Sequence, residues 1–306
     1  MKRVIVTGAA GFVGRNLVRA LAAGNYETVA AVRRGTGAAV LQALPHVRVC
    51  EWNMEEYGKA PDIPGGTYDA GVLLAWNGTR GDTREDVLLQ RANYENSIKC
   101  VKTMIALGCR TILSAGSQAE YGRMHAVTTE ESECAPDTEY GRAKLRFYED
   151  AARLCEKQGV SFKEPRFFSL YGEDDSPRTM ILSVLSDMLA GRPCALTACV
   201  QEWNFLHIDD AVRGLLLLLE RECADGAYNF ASGDTRILRD FVMEMRDLSH
   251  SESVLHFGAV PYPDTGMVSM HPSAAKLQRE TGWKPQVTFR EGVEGILCAM
   301  RKEENI

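Results

Sequence analysis

The first sixteen residues, MKRVIVTGAAGFVGRN, constrain this chain more than any other stretch. Val4, Ile5 and Val6 form a β-branched run, the composition of a buried strand. Gly8, Gly11 and Gly14 follow at even spacing, and a helical pattern then runs through Leu17 and Leu21. A strand that passes through glycines into a helix predicts the opening of a dinucleotide-binding βαβ unit. Gly8 suits the tight turn, Gly11 lets a pyrophosphate approach the backbone, and Gly14 lets the helix lie close to the sheet. The helix N-terminus offers free N–H groups and a positive partial charge to phosphate. Ala10, Phe12 and Val13 belong to the same loop and first turn and count among the expected cofactor contacts.

The chain has 306 residues, enough for one large domain or two intimate ones. A formal charge of −6 argues against a general nucleic-acid binder. Met1 leads straight into a strand pattern, so no secretory leader is expected. The most apolar helical run, Leu215 to Leu219, is too short to cross a bilayer. Nine cysteines, with no C-x-x-C, are scattered through apolar segments. They read as reduced thiols in a cytoplasmic protein, with no metal site.

The run Thr7 to Gly14, T-G-x-x-G-x-x-G, resembles the extended branch of the short-chain dehydrogenase/reductase family. Thr28 to Val32 reads as the second strand and ends in Arg33-Arg34. An acidic residue there would bond the ribose hydroxyls of NAD. Arginine suits the 2′-phosphate of NADP by charge and by its forked donors, so NADPH is expected, with NAD as the alternative. Val47 to Cys50 reads as the third strand. Asn53 and Met54 follow, where the family places residues flanking adenine. Asp69 to Ala75 is the fourth strand, and the resemblance implies that Leu74 and Ala75 back the cofactor. The next loop, Trp76 to Gly81, falls at the ligand crevice of a doubly wound sheet. Trp76 is assigned to the cofactor, and Asn77, Thr79 and Arg80 to the substrate. Residues 84–107 have helical periodicity. Asn93 within them matches a family asparagine near the active site.

Thr111 to Leu113 opens the fifth strand, which leads into Ser114-Ala115-Gly116-Ser117-Gln118-Ala119-Glu120-Tyr121-Gly122. Further on, Tyr140 and Lys144 stand one helical turn apart on one face. With the glycine turn and a serine at a strand end, this resembles an extended member of the nucleotide-sugar epimerase, dehydratase and reductase type. The resemblance makes Ser117, Tyr140 and Lys144 the catalytic residues. Tyr140 and Lys144 would also hold the nicotinamide ribose. Reducing a ketone needs hydride at carbon and a proton at oxygen. A free phenol has a pKa of about 10, and a nearby ammonium favours its ionised form. Lys144 is expected to supply that effect, and Ser117 to steady the developing alkoxide. Family members that eliminate water carry an Asp-Glu pair after the strand-end hydroxyl; here Gln118 and Ala119 stand there. A dehydratase is not expected. Gln118 is assigned to substrate, and Glu120 to structure or a substrate contact.

Pro165 to Gly172 resembles the sixth strand and its turn, with Phe167 beside the cofactor and Ser169 facing substrate where the family has asparagine. Residues 173–203 leave the sheet and include a helix to about Ala190. Trp203 to Asp210 reads as a strand returning to the core, with Asp209 capping a helix over 210–221 and His207 structural. Many relatives have, in place of Trp203, an arginine that grips the diphosphate. Trp203 and Asn204 are assigned to substrate. Gly282-Trp283-Lys284-Pro285 resembles the family's C-terminal turn. The expected fold is α/β, a Rossmann-fold doubly wound parallel sheet with a smaller interleaved C-terminal substrate-binding lobe. The body spans 1–172 plus 205–235, and the lobe 173–204 plus 236–306. The implied activity is NADPH-dependent reduction of the 4-keto group of a nucleotide-linked 4-keto-6-deoxy sugar. The alternative is an NAD-dependent nucleotide-sugar 4-epimerase, and a remoter one a non-catalytic NADP-binding sensor. The family resemblance also implies a homodimer formed through helices near 84–107 and 140–158, while charge and hydropathy lead us to expect no nucleic-acid or membrane partner.

Overall fold

The β-branched residues after Met1 form strand β1 (Lys2–Thr7), which alternates its side chains between two cores. Val4 and Val6 join one hydrophobic cluster and Ile5 the other. The computed structural model describes residues 1–124, 126–262 and 266–304. After β1 come α1 (Phe12–Ala23), β2 (Tyr26–Val32), α2 (Ala39–Gln42), β3 (Val47–Glu51), β4 (Ala70–Leu73), α3 (Val87–Ala106) and β5 (Thr111–Ser114). Then follow β6 (Gly116–Ser117), α4 (Glu139–Lys157), β7 (Ser161–Phe167), β8 (Ser169–Tyr171), α5 (Met180–Leu189), β9 (Cys194–Leu196), β10 (Glu202–His207) and α6 (Ile208–Glu220). The chain closes with β11 (Gly226–Phe230), β12 (Thr235–Ile237), α7 (Leu238–Ser249), β13 (Leu255–Phe257), α8 (Ala275–Thr281) and α9 (Phe289–Glu304).

The large sheet is parallel, in the order β11-β7-β5-β4-β1-β2-β3, with β6 also on β7. Helices cover both faces, as a parallel sheet requires. Leu17 and Leu21 of α1 and Leu215 and Leu218 of α6 fill one face; Val101 and Met104 of α3 and Phe147 and Ala151 of α4 fill the other. The strand order reverses between β1 and β4, so a crevice opens beyond their C-terminal ends. A third cluster, built on Tyr171, Leu185, Phe205, Phe241 and Val293, packs around the smaller sheets β12-β10-β8 and β13-β9. Met270, Leu277 and Trp283 instead pack on the α1 and α6 face of the large sheet.

Four details differ from the sequence expectation. The sixth long strand begins at Ser161, ahead of Pro165. Pro165 is tolerated because β5 stops at Ser114 and β6 resumes at Gly116, so the ladder is interrupted opposite a residue with no N–H. Residues 169–171 form a separate strand, β8, which leaves the large sheet to pair with β10. The helix expected over 84–107 starts at Val87, where Asp86 accepts the Leu89 N–H at 3.0 Å. Gly81–Glu85 is a separate 3-10 turn. His207, not Asp209, caps α6: its Nδ1 accepts the Asp209 N–H at 3.3 Å. Asp210 receives the N–H groups of Gln286 at 2.8 Å and Val287 at 3.0 Å, and its carbonyl takes the Trp283 indole N–H at 2.9 Å. That pins the Gly-Trp-x-Pro turn to α6.

Gly14 sets how closely α1 lies on the glycine loop. A Cβ there would overlap the Gly8 carbonyl oxygen and stand 2.8 Å from the Ala9 Cα. Gly14→Ala is expected to destabilise the fold by about 1–3 kcal/mol through overpacking, read as a lower urea midpoint. At Gly37 an added Cβ meets nothing within 4 Å. Gly37→Ala should stay within about 0.5 kcal/mol of the parent.

Candidate active site

The crevice holds two adjoining cavities, of about 300 Å³ and 770 Å³, which share Gly8, Gly11, Leu74 and Trp76. A Cβ built on Gly11 would meet only the Gly8 carbonyl, so the loop leaves room on the cavity side. Phe12, Val13 and Gly14 line the larger cavity and carry first-turn N–H groups that the helix leaves unpaired. No acidic residue stands in that turn to cancel the dipole. Arg15 folds back on the loop and donates to the Ala10 carbonyl at 3.0 Å. Ala10, Arg33, Met54, Ala75 and Asn77 line the smaller cavity, as does Thr36. Arg34 does not: it pairs with Glu56 at 3.2 Å and Glu51 at 3.4 Å. Asn53 also stays outside, accepting the Arg34 N–H at 2.9 Å and capping the turn Met54–Glu56.

At the other end, Ser117, Tyr140 and Lys144 line the larger cavity with Phe167. Glu120 closes the short turn after β6 by accepting the Ser117 N–H at 2.6 Å. Its second oxygen takes Arg166 Nε at 2.8 Å, and Glu164 shares that nitrogen at 3.1 Å. The three side chains are buried, at 0–2% exposure. Thr138 caps α4 by accepting the Gly141 N–H at 3.1 Å. A Cβ on Gly141 would overlap the Ala119 carbonyl oxygen, so α4 can touch the turn that carries Ser117 only with glycine there. This contact brings Tyr140 against Ser117, one turn before Lys144. The Lys144 ammonium donates to the Ala115 carbonyl at 2.7 Å and rests 3.8 Å from the centre of the Trp76 ring.

Trp76 is held in turn by Gln90, which accepts the indole N–H at 2.8 Å and donates to the Gly78 and Thr83 carbonyls at 2.9 Å. Asn93 grips the backbone of Asn77 on both sides, at 2.8 and 3.2 Å, and is itself buried. It therefore shapes the loop and lines neither cavity.

Of the residues assigned to substrate, Thr79, Arg80, Ser169 and Trp203 line the larger cavity and Asn77 the smaller. Gln118 lines neither. Asn204 is fully buried and braces the turn after β11, donating to the Ser232 carbonyl at 3.0 Å and accepting its N–H at 2.9 Å. Asp175, Arg178, Thr197 and Gln201 also line the larger cavity and were not anticipated. They follow elements of the smaller sheets, with no local pattern to separate them from ordinary turn residues. Asp175 pairs with Arg80 at 3.6 Å, and the neighbouring Asp174 with Arg19 of α1.

A sequence model described as the NAD-dependent epimerase/dehydratase family matches residues 4–231. The chain belongs to that family. Among curated relatives, a CDP-abequose synthase from Salmonella muenchen is 24% identical over 97% of this chain and 97% of its own. A dTDP-glucose 4,6-dehydratase from Streptomyces griseus is 24% identical over 99% and 95%. The solved structure of a UDP-glucose 4-epimerase from Thermotoga maritima with UDP-glucose superposes with a TM-score of 0.88, at 18% identity, over 99% of each chain. The description of that family gives its coenzyme as NAD, a nicotinamide dinucleotide.

Burial moves the titration of the two helical residues in opposite directions. Burial pushes the Tyr140 phenol up to about 12, and the hydrogen bond from Ser117 offsets only part of that. The Lys144 ammonium, held on the Ala115 carbonyl and the Trp76 ring, does not outweigh that burial. Burial lowers Lys144 itself from 10.5 to about 8, against the pull of Glu120 and Glu164. Between about pH 8 and pH 10 the unfolded chain therefore binds more protons at this lysine than the folded one. Its contribution to stability rises with pH across that window. Lys144→Met should flatten that rise, measured as urea midpoints of the two proteins at matched pH values.

Proposed function

We propose that this protein reduces the 4-keto group of a nucleotide-linked sugar with NADPH. The single observation that carries this reading is the placement of Ser117, Tyr140 and Lys144 on one wall of a cavity that continues to the glycine loop and Arg33. The bound dihydronicotinamide supplies hydride to the carbonyl carbon. Ser117 donates a hydrogen bond to the carbonyl oxygen, and Tyr140 donates the proton. A phenol held protonated through neutral pH is in the donating form, which suits reduction. Arg33 meets the 2′-phosphate. Trp203 offers a flat apolar surface, and Arg178 a cation with no ion pair among the described residues, for the nucleotide end of the substrate.

Two further points support reduction. Elimination of water needs a free acid and base at the strand end, yet Glu120 is buried with both oxygens engaged. The Salmonella muenchen relative is a synthase of a CDP-linked sugar. A 4-epimerase would use the same residues but must first oxidise, with Tyr140 taking a proton as phenolate. A homodimer through the exposed sides of α3 and α4, which pack together through Tyr94 and Asp150 at 2.8 Å, belongs to the same reading.

Incubation with a panel of 4-keto nucleotide sugars should consume NADPH. Release of stoichiometric NAD on denaturation, with no consumption, would instead establish the epimerase. Tyr140→Phe is expected to lower kcat by about 10²–10⁴ while NADPH binding stays within about twofold. Arg33→Ala should cut the preference for NADPH over NADH tenfold or more, as loss of a charge-assisted contact of about 1.5–3 kcal/mol implies.

A further inference from the structure

The cation that packs on Tyr140 is Arg84. It lies in the 3-10 turn just before α3, and its guanidinium carbon is 5.2 Å from the centre of the Tyr140 ring. Its Nε is shut off from solvent with no hydrogen-bond partner, and it forms no ion pair among the described residues. An N–H left unpaired in this way costs about 1–3 kcal/mol, which the contact with the ring has to offset.

We propose that Arg84 is a positioning residue for the acid step, its guanidinium stabilising the phenolate left on Tyr140 when the proton departs. The chemistry rests on the reduction proposed above; the placement rests on geometry alone. In that step the phenol O–H bond breaks and an O–H bond forms on the carbonyl oxygen. The hydride carries its electron pair from NADPH to the carbonyl carbon. The charge left behind spreads from the phenol oxygen into the ring. A cation over an aromatic face is attracted by the ring's quadrupole, and that attraction strengthens as the ring gains charge. Arg84 therefore favours the ionised ring over the neutral one.

The other groups around Tyr140 show why such a cation matters. Glu120, from the turn after β6, and Glu164, from β7, both oppose ionisation. Ser117 and Arg84 favour it. Lys144, one turn along α4, is directed to Ala115 and Trp76. Glu139, next to Tyr140, pairs with Arg142 at 2.7 Å, and its N–H is taken by Glu85 at 3.3 Å.

A fluorinated tyrosine placed at position 140 of the full chain gives a direct test. Its phenol is intrinsically more acidic, which brings the titration into a range where the fold survives, and its fluorine resonance reports that ring alone. Arg84→Met and Arg84→Gln should each raise the midpoint by about one pH unit. Arg84→Lys, which keeps the charge on the same turn, should recover at least half of that shift. Unchanged midpoints in the Met and Gln variants would overturn the proposal, as would a wild-type midpoint in Arg84→Gln. In the unlabelled chain, Arg84→Met should lower kcat about tenfold, equivalent to about 1.4 kcal/mol, with KM within twofold. A change confined to KM would count against it. The fluorine titration needs no substrate. A protein that turned over no keto sugar would sink the reductase reading and leave the Arg84 result standing.

Discussion

The two oxygens of Glu120 hold the reacting end of the crevice together. One fixes the Ser117 N–H and the other takes Arg166, so a single carboxylate joins the turn after β6 to strand β7. A lone carboxylate in such a place would lose its hydration with nothing in return. Arg166 gives it a charged partner, and the guanidinium also lies 4.7 Å from the centre of the Tyr121 ring. Glu164 shares the same nitrogen, and burial together with Glu120 raises its carboxyl well above the ordinary range. Ser117 is thereby fixed on a buried ionic frame, and α4 lies against its turn through Gly141.

The fold was legible wherever a local pattern carries it. The β-branched run, the three glycines and the helical period of α3 and α4 each follow from neighbours in sequence, and the tyrosine and lysine of α4 share a face because a helix turn brings them together. The errors came where alternation or distant partners decide. Trp203 and Asn204 are adjacent on one strand, so their side chains leave on opposite sides. One reaches the cavity and the other braces the turn after β11. Pro165 suggested a strand start, because the interruption between β5 and β6 that accommodates it lies fifty residues away in the chain. The frame of Glu120, Glu164 and Arg166 has no signature in any window. Nor does the contact of Arg84 with Tyr140, since both depend on how loops from separate strands meet.

The larger cavity is walled by two sets of elements that acidic residues tie together. Asp174 and Asp175 follow β8, and each takes an arginine from the other side, Arg19 of α1 and Arg80 of the loop after β4. Asp175 is buried, and that burial raises its carboxyl above the usual range despite Arg80. The segment after β8 is therefore fixed at two points, against α1 and against the loop after β4. Ser169 and Arg178, which line the larger cavity, flank it on either side.

Arg33 and Arg34 divide a task that the sequence presents as one. Arg34 is committed to Glu51 and Glu56, and of the two only Arg33 lines the smaller cavity. In the reduction proposed for this protein, the choice between phosphorylated and unphosphorylated coenzyme falls to that one exposed side chain, in a different cavity from Ser117, Tyr140 and Lys144. A lineage carrying this architecture could exchange one source of reducing power for another by a single replacement. Its acid, its serine and the ionic frame beneath them would pass through such a change untouched.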